Sequence, residues 1–257
     1  NTDQHRSLIQ TYEITRQYSK IDHKKLINNL LINNSEDVLT YIEQAQHKFH
    51  LDGHTRNARK ILEDATKINS NLDLDYIYSI LDKFDQNYDN LLNNIEQHWE
   101  KINQDSLWIE YENIRPKYFF KTFYSYFQGN FKNVGLYGEK AIKIMQNVED
   151  KYQFKDHRYH NTLSKIYIFL EDEEKALDNA KLAVSLYPPS KDHLGSGTYQ
   201  YQLAIVYAAF GYTNQSLRIL KELISHQSHF NWRKIKYDTY VNKFLGDNEE
   251  LNKLISD

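Results

Sequence analysis

LSKIYIFLEDEEKALDNAKLAVSLYP, residues 163–188, holds two apolar-periodic halves, an acidic break and a closing proline. Leu163, Ser164 and Tyr167 recur at helical spacing in the first half. Ala176, Ala180 and Ala183 do so in the second, and small residues there let two antiparallel helices approach closely. The turn falls at Glu171-Asp172, and Pro188 ends the second helix because its ring cannot continue one. The stretch therefore predicts a helical hairpin.

The same template fits elsewhere. Leu203, Ala204, Tyr207, Gly211, Ser216, Leu220 and Leu223 match at the same internal spacings, as do Ala45, Phe49, Gly53, Ala58, Leu62 and Ala65. A looser copy runs Thr122, Gly129, Val134, Gly138, Ala141, and the loosest runs Tyr78, Ser79, Tyr88, Leu91, Ile95 without a turn glycine. Gly53, Gly129 and Gly211 all fall at the turn. The second-helix anchors Ala58, Leu91, Val134, Ala176 and Ser216 are separated by 33, 43, 42 and 40 residues. The later units therefore carry extra length in helices or loops, of which PPSKDHLGSG at 188–197 is one.

This pattern resembles the tetratricopeptide (TPR) repeat, whose period is about 34 residues. The resemblance covers roughly 36–228 and is clearest at 160–228. It implies an all-α fold: one right-handed superhelical solenoid of antiparallel helix pairs over 1–257, with about five repeats in 36–228. Residues 1–34 read as a further helical pair, from Leu8, Ile9, Tyr12 and Ile14, then Leu26, Ile27, Leu30 and Leu31. Ser35 is the expected N-cap of the next helix and Gly53 its C-terminal stop. The tail 229–257 runs from an aromatic segment through Asp238 and Phe244 to a last short helix. It looks like the ending of TPR arrays in bacterial signalling proteins linked to nucleotide-cyclase, kinase or winged-helix domains. There it would cap the exposed end of the solenoid.

Composition narrows the function classes. With 32 Lys+Arg against 35 Asp+Glu, the net charge of −3 does not suggest a nucleic-acid binder. No cysteine is present, which removes disulfides, thiolate metal sites and cysteine nucleophiles. No apolar run reaches the roughly 18–20 residues of a membrane span. The start, NTDQHRSLIQTYEI, has no signal-peptide core, and the expected location is cytoplasmic. Asn1 in place of Met reads as a piece of a longer chain or a mature chain, and a catalytic or DNA-binding domain ahead of it is compatible with that.

The resemblance implies a concave wall lined by the first helix of each pair. Carried onto this sequence, the partner-binding positions are Tyr76, Ile80, Phe119, Phe123, Tyr126, Arg158, Asn161, Lys165 and Tyr201. Such a groove suits a protein or peptide segment with bulky apolar side chains, with or without an acidic group. The alternative is that Phe119, Phe123 and Phe127 pack against a neighbouring helix or an insertion, since an apolar stripe at helical spacing is usually core. Asn161 and Lys165 lie one turn apart, but in the reverse order to the carboxylate clamp of some TPR domains.

Other motifs carry less. His47, His50 and His54 would share a face of a continuous helix, yet Asp52-Gly53 interrupts it, so a solvated polar face is the expectation and no metal or cofactor is expected. The EDEE run at 171–174 reads as a solvated turn that favours the following helix N-terminus. GSG at 195–197 lacks both the P-loop lysine and the dinucleotide fingerprint. The resemblance thus implies a non-catalytic interaction scaffold. A homodimerisation module is the alternative, and a metal-dependent enzyme is less favoured.

Overall fold

The computed structural model describes residues 40–42, 44–45, 48–49, 54–70, 74–102, 107–109, 114–152, 156–192, 195–225 and 235–255, with the backbone alone at 75–76, 79–80, 97–102, 107–109 and 148–152. The expectations for 1–34, Ser35, His47, His50 and Gly53 lie outside these residues. Two units emerge, Asn1–Asn87 and Tyr88–Asp257.

The first unit contains α1 (Arg56–Ile68) and α2 (Asp75–Phe84). Ala45, Phe49, Ala58, Leu62 and Ala65, the positions picked out by the template, are all buried. Phe49 meets Phe84 edge-on at 4.7 Å. A polar clasp ties the start of α1 to the end of α2. Arg59 donates to Asp82 at 2.7 Å and to Asp85 at 2.6 Å, and the Thr55 hydroxyl donates to Asp85 at 2.9 Å. The buried Asp82 carboxylate is thereby compensated by a guanidinium, which a buried charge requires.

Among its described residues the second unit is all-α apart from one short ribbon. It comprises α3 (Tyr88–Ile102), β1 (Leu107–Ile109), β2 (Ile114–Pro116), α4 (Lys117–Phe127), α5 (Phe131–Tyr152), α6 (His157–Phe169), α7 (Glu173–Leu186), α8 (Ser196–Ala209), α9 (Thr213–Ser225), α10 (Thr239–Leu245) and α11 (Glu249–Leu254). The ribbon is antiparallel, with Leu107 opposite Pro116 and Ile109 opposite Ile114. Helices pair in chain order as α4 with α5, α6 with α7 and α8 with α9, and neighbouring pairs pack on one another. Ala176, Ala180 and Ala183 are buried on α7, and Ser216, Leu220 and Leu223 on α9, as the template requires. At Gly138 of α5 an added Cβ would lie 2.8 Å from the Leu170 side chain, so this position keeps the helices close. Asp156, Asp172, Asp238 and Asn248 cap α6, α7, α10 and α11 by accepting backbone N–H groups.

The recurrence lies in the turns. Helices α2, α4, α6 and α8 each end over one residue with positive φ: Gln86 (57°), Gly129 (75°), Glu171 (57°) and Gly211 (81°). The amide of each donates three residues back, Gln86 to Lys83, Gly129 to Tyr126, Glu171 to Ile168 and Gly211 to Ala208. The next amide donates five back, Asn87 to Asp82 (2.8 Å), Asn130 to Ser125 (2.9 Å), Asp172 to Tyr167 (3.0 Å) and Tyr212 to Tyr207 (2.8 Å). These two bonds define the Schellman motif, which satisfies carbonyls that a helix end leaves orphaned. The four left-handed residues are 43, 42 and 40 positions apart, the same spacings as the anchors Leu91, Val134, Ala176 and Ser216. The extra length has a separate source each time: the β ribbon, the 22-residue α5, and the loop ahead of α8.

Two of these turns use a residue with a Cβ in a conformation that disfavours one. Glu171→Gly should stabilise the protein by about 0.5–1 kcal/mol in urea denaturation. Gly211→Ala should cost about 1 kcal/mol, and as a Cβ there meets nothing within 4 Å, that cost is conformational rather than steric.

Candidate interaction surface

Helix α4, KYFFKTFYSYF, carries aromatic residues around most of its circumference. Phe119, Phe123, Tyr126 and Phe127 recur at spacings of four, three and one and so share a face. Across from them stands Phe169 at the end of α6, with centroids 6.1 Å from Phe119, 5.7 Å from Phe123 and 5.2 Å from Tyr126. The surface is then covered by α10. Tyr240 lies 5.5 Å from Phe123 and 5.8 Å from Phe127, and stacks on Phe169 at 6.1 Å with a 16° interplanar angle. Phe244 reaches Tyr126 at 6.5 Å.

This closure decides the state of the expected groove residues. Phe119 and Phe123 are only 4% and 5% exposed, so they form core in this structure, as the alternative reading of the stripe held. Tyr126 is half-buried. Tyr201 on α8 is buried, and burial together with the Asp238 carboxylate holds its phenol well above the ordinary tyrosine range. Asn161 is fully buried, whereas Lys165, one turn on, is half-buried, so the two do not form an open clamp. Half-buried Arg158 turns back on the cap of its own helix, reaching Asp156 through Nε at 2.8 Å and Nη2 at 2.6 Å. Burial raises the Asp156 pKa, but Arg158 and two backbone amides outweigh it and leave the carboxyl below its ordinary value. Tyr76 and Ile80 lie on α2, in the other unit, where the structure describes only their backbone.

On another face of α4, Lys117 and Lys121 both pair with Glu96 of α3. Lys121 also lies over Tyr137 at 5.0 Å and Lys140 over Tyr118 at 5.2 Å, within cation–π range. The acidic run 171–174 resolves into turn and cap. Asp172 accepts from the Lys175 amide, and Glu173 accepts from the Tyr212 hydroxyl at 2.6 Å. His160 is buried with its Nδ1 2.8 Å from Asn179 Oδ1. His54 is exposed, and no group of three His, Asp or Glu residues suited to a metal ion occurs among the described residues.

One site was not anticipated from sequence. His157, the first residue of α6, stacks on Tyr187 at 4.3 Å and meets Tyr199 edge-on at 4.9 Å. Lys191 lies over the same Tyr187 ring at 5.1 Å, and the Tyr187 hydroxyl donates to Asp192 at 3.0 Å. This box pins the loop before α8 against the start of α6. The other omission was Tyr240 as the cover of the aromatic wall. The sequence had placed Asp238 and Phe244 in a cap, and the spacing Tyr240, Val241, Phe244, Leu245 marks one face of a short helix.

Compared with known proteins, the chain matches no family model, no curated protein and no solved structure.

Phe123→Ala should cost about 3–5 kcal/mol, read as a lower urea midpoint with little change in slope. The His157 box makes stability depend on pH. Burial depresses the His157 pKa below 6.5, aided by Arg158 and Lys191 and opposed by Asp156. The folded state therefore binds its proton less readily than the unfolded chain. The stabilisation is complete above pH 6.5 and is lost as pH falls through the lower folded pKa. An NMR titration should place the His157 midpoint below 6.5, and His157→Phe should flatten the stability profile in that window.

Proposed function

We propose that this chain is a TPR-type scaffold that binds a protein or peptide segment and performs no catalysis itself. The observation that carries the reading is the repeated turn, four identical helix caps with the template's small and anchoring residues buried at a fixed offset behind them. Helix pairs built on one cap and stacked in chain order are the units of a superhelical solenoid, whose inner helices form an extended binding wall. The near-neutral charge balance argues against nucleic acid as the partner. No helix among the described residues is long and apolar enough to cross a membrane. By resemblance of its tail, the chain is the docking or regulatory part of a larger cytoplasmic bacterial signalling protein.

The partner site we favour is in the second unit, where Tyr126 is half-buried on the aromatic wall and Lys165, also half-buried, lies one helical turn before Phe169 on α6. An aromatic anchor with a nearby cation suits a segment that presents a bulky apolar side chain and a carboxylate. Selection from a displayed peptide library should yield such sequences, and the Lys165→Ala variant should bind them at least tenfold more weakly with little change in melting. A selection that returns no binder, or binders indifferent to that substitution, would sink this reading.

A second reading has its own support. Phe131 and Leu136 on α5 are 61% and 49% exposed, and Leu182 and Leu186 on α7 are also exposed. These outward apolar residues favour a homodimerisation module. Sedimentation equilibrium of wild type against Phe131→Ser/Leu182→Ser decides it, and a monomer at high concentration in both excludes it.

A further inference from the structure

A cap at the end of a stacked array needs to touch only the last unit, because each unit contacts its neighbours alone. Helix α11 behaves this way, as its Glu250 pairs with Lys221 on α9. Helix α10 does not. It packs against α8, and its Tyr240 also reaches Phe169 on α6 and both Phe123 and Phe127 on α4, two helix pairs back. The segment thus lies across the first helices of three successive pairs, on the wall where a partner would lie.

Its chemistry is that of a ligand helix. Asp238 caps it by accepting from the Tyr240 and Val241 amides at 2.8 and 3.2 Å. Tyr240, Val241 and Leu245 are buried and Phe244 is half-buried, while Asn242 and Lys243 between them are exposed. That is the one-sided pattern of a helix seated in an apolar groove. With seven residues the helix is far below the length that holds itself together in water, so its order derives from the wall. Release from the wall and loss of the helix are then one local event.

We propose that the segment 235–255 is a displaceable occupant of the aromatic wall, held in cis in the partner's place. A partner segment with an acidic cap and an aromatic-plus-aliphatic helical face then binds by exchange with it. The inference rests on the scaffold reading for the partner and on the intramolecular contact alone for the exchange. Tethering gives the segment a high effective concentration, so a free segment of equal intrinsic affinity competes poorly until the tether's grip is weakened.

The test uses the intact chain, with a fluorescent synthetic peptide of residues 235–255 as the probe. In wild type, amides of 239–245 should exchange with deuterium at least tenfold faster than those in the interior of α8, through local opening. Tyr240→Ala should remove protection from 239–255, leave α6 and α8 protected, and bind the peptide at least tenfold more tightly than wild type does. Lys221→Glu, which sets two like charges together at an exposed contact, should shift exchange and peptide binding the same way by a smaller factor, and it guards against a Tyr240 variant that fails to fold. Exchange of α6, α8 and α10 together in wild type and in Lys221→Glu would overturn the proposal, since the segment would then belong to one indivisible core. So would a folded, tail-released variant that binds no peptide. A wall that takes its own peptide but no foreign one leaves the exchange standing and removes the scaffold reading, so the two failures are distinguishable.

Discussion

Helices α2, α4, α6 and α8 each end by placing one residue in the left-handed conformation, and the next helix begins two residues later. That residue turns two backbone amides onto carbonyls the helix would otherwise leave bare. The geometry fixes where the next helix begins and, in the pairs α4–α5, α6–α7 and α8–α9, which of its residues return to the first. Because the offset from turn to anchor is the same each time, Leu91, Val134, Ala176 and Ser216 all arrive at buried positions. Cap and small-residue packing are coupled. A tight turn demands close helices, and Ala176 and Ala180 permit them between α6 and α7, while Gly138 lets α5 approach Leu170 at the end of α6 in the next pair.

The pairs were legible in the sequence because both halves of that coupling leave chemical traces. Glycine marks a positive φ at 129 and 211, and alanine at spacings of four and three marks a close helix face. Gln86 and Glu171 left no such trace, since nothing in a glutamine or glutamate signals that it sits in the left-handed region. The irregular spacing was visible as extra length, but only the fold separates it into a ribbon, a long helix and a loop.

The wall was half legible. The apolar stripe Phe119, Phe123, Tyr126 and Phe127 is plain in the sequence, but a stripe states only that something covers it. Whether the cover is a foreign partner or a distant part of the same chain depends on contacts between residues far apart, which periodicity does not encode. The same holds for the His157 box, where Tyr187 and Tyr199 converge from a helix end and the following helix. Arg158 and Asp156 show the opposite limit. Their neighbourhood in sequence is enough to make an arginine serve its own helix cap before any ligand.

The contact between Phe123 and Tyr240 joins residues more than a hundred positions apart, whereas every helix pair closes over a short turn. Local contacts form fast and distant ones wait on the slower closure of a long loop. The helix pairs are therefore assembled before the wall is covered. During synthesis the order is stricter still, because α4 and α6 leave the ribosome well before residue 240 exists. For that interval the phenylalanines of the wall lack their cover, and the chain is at its most adhesive just before residue 240 is made.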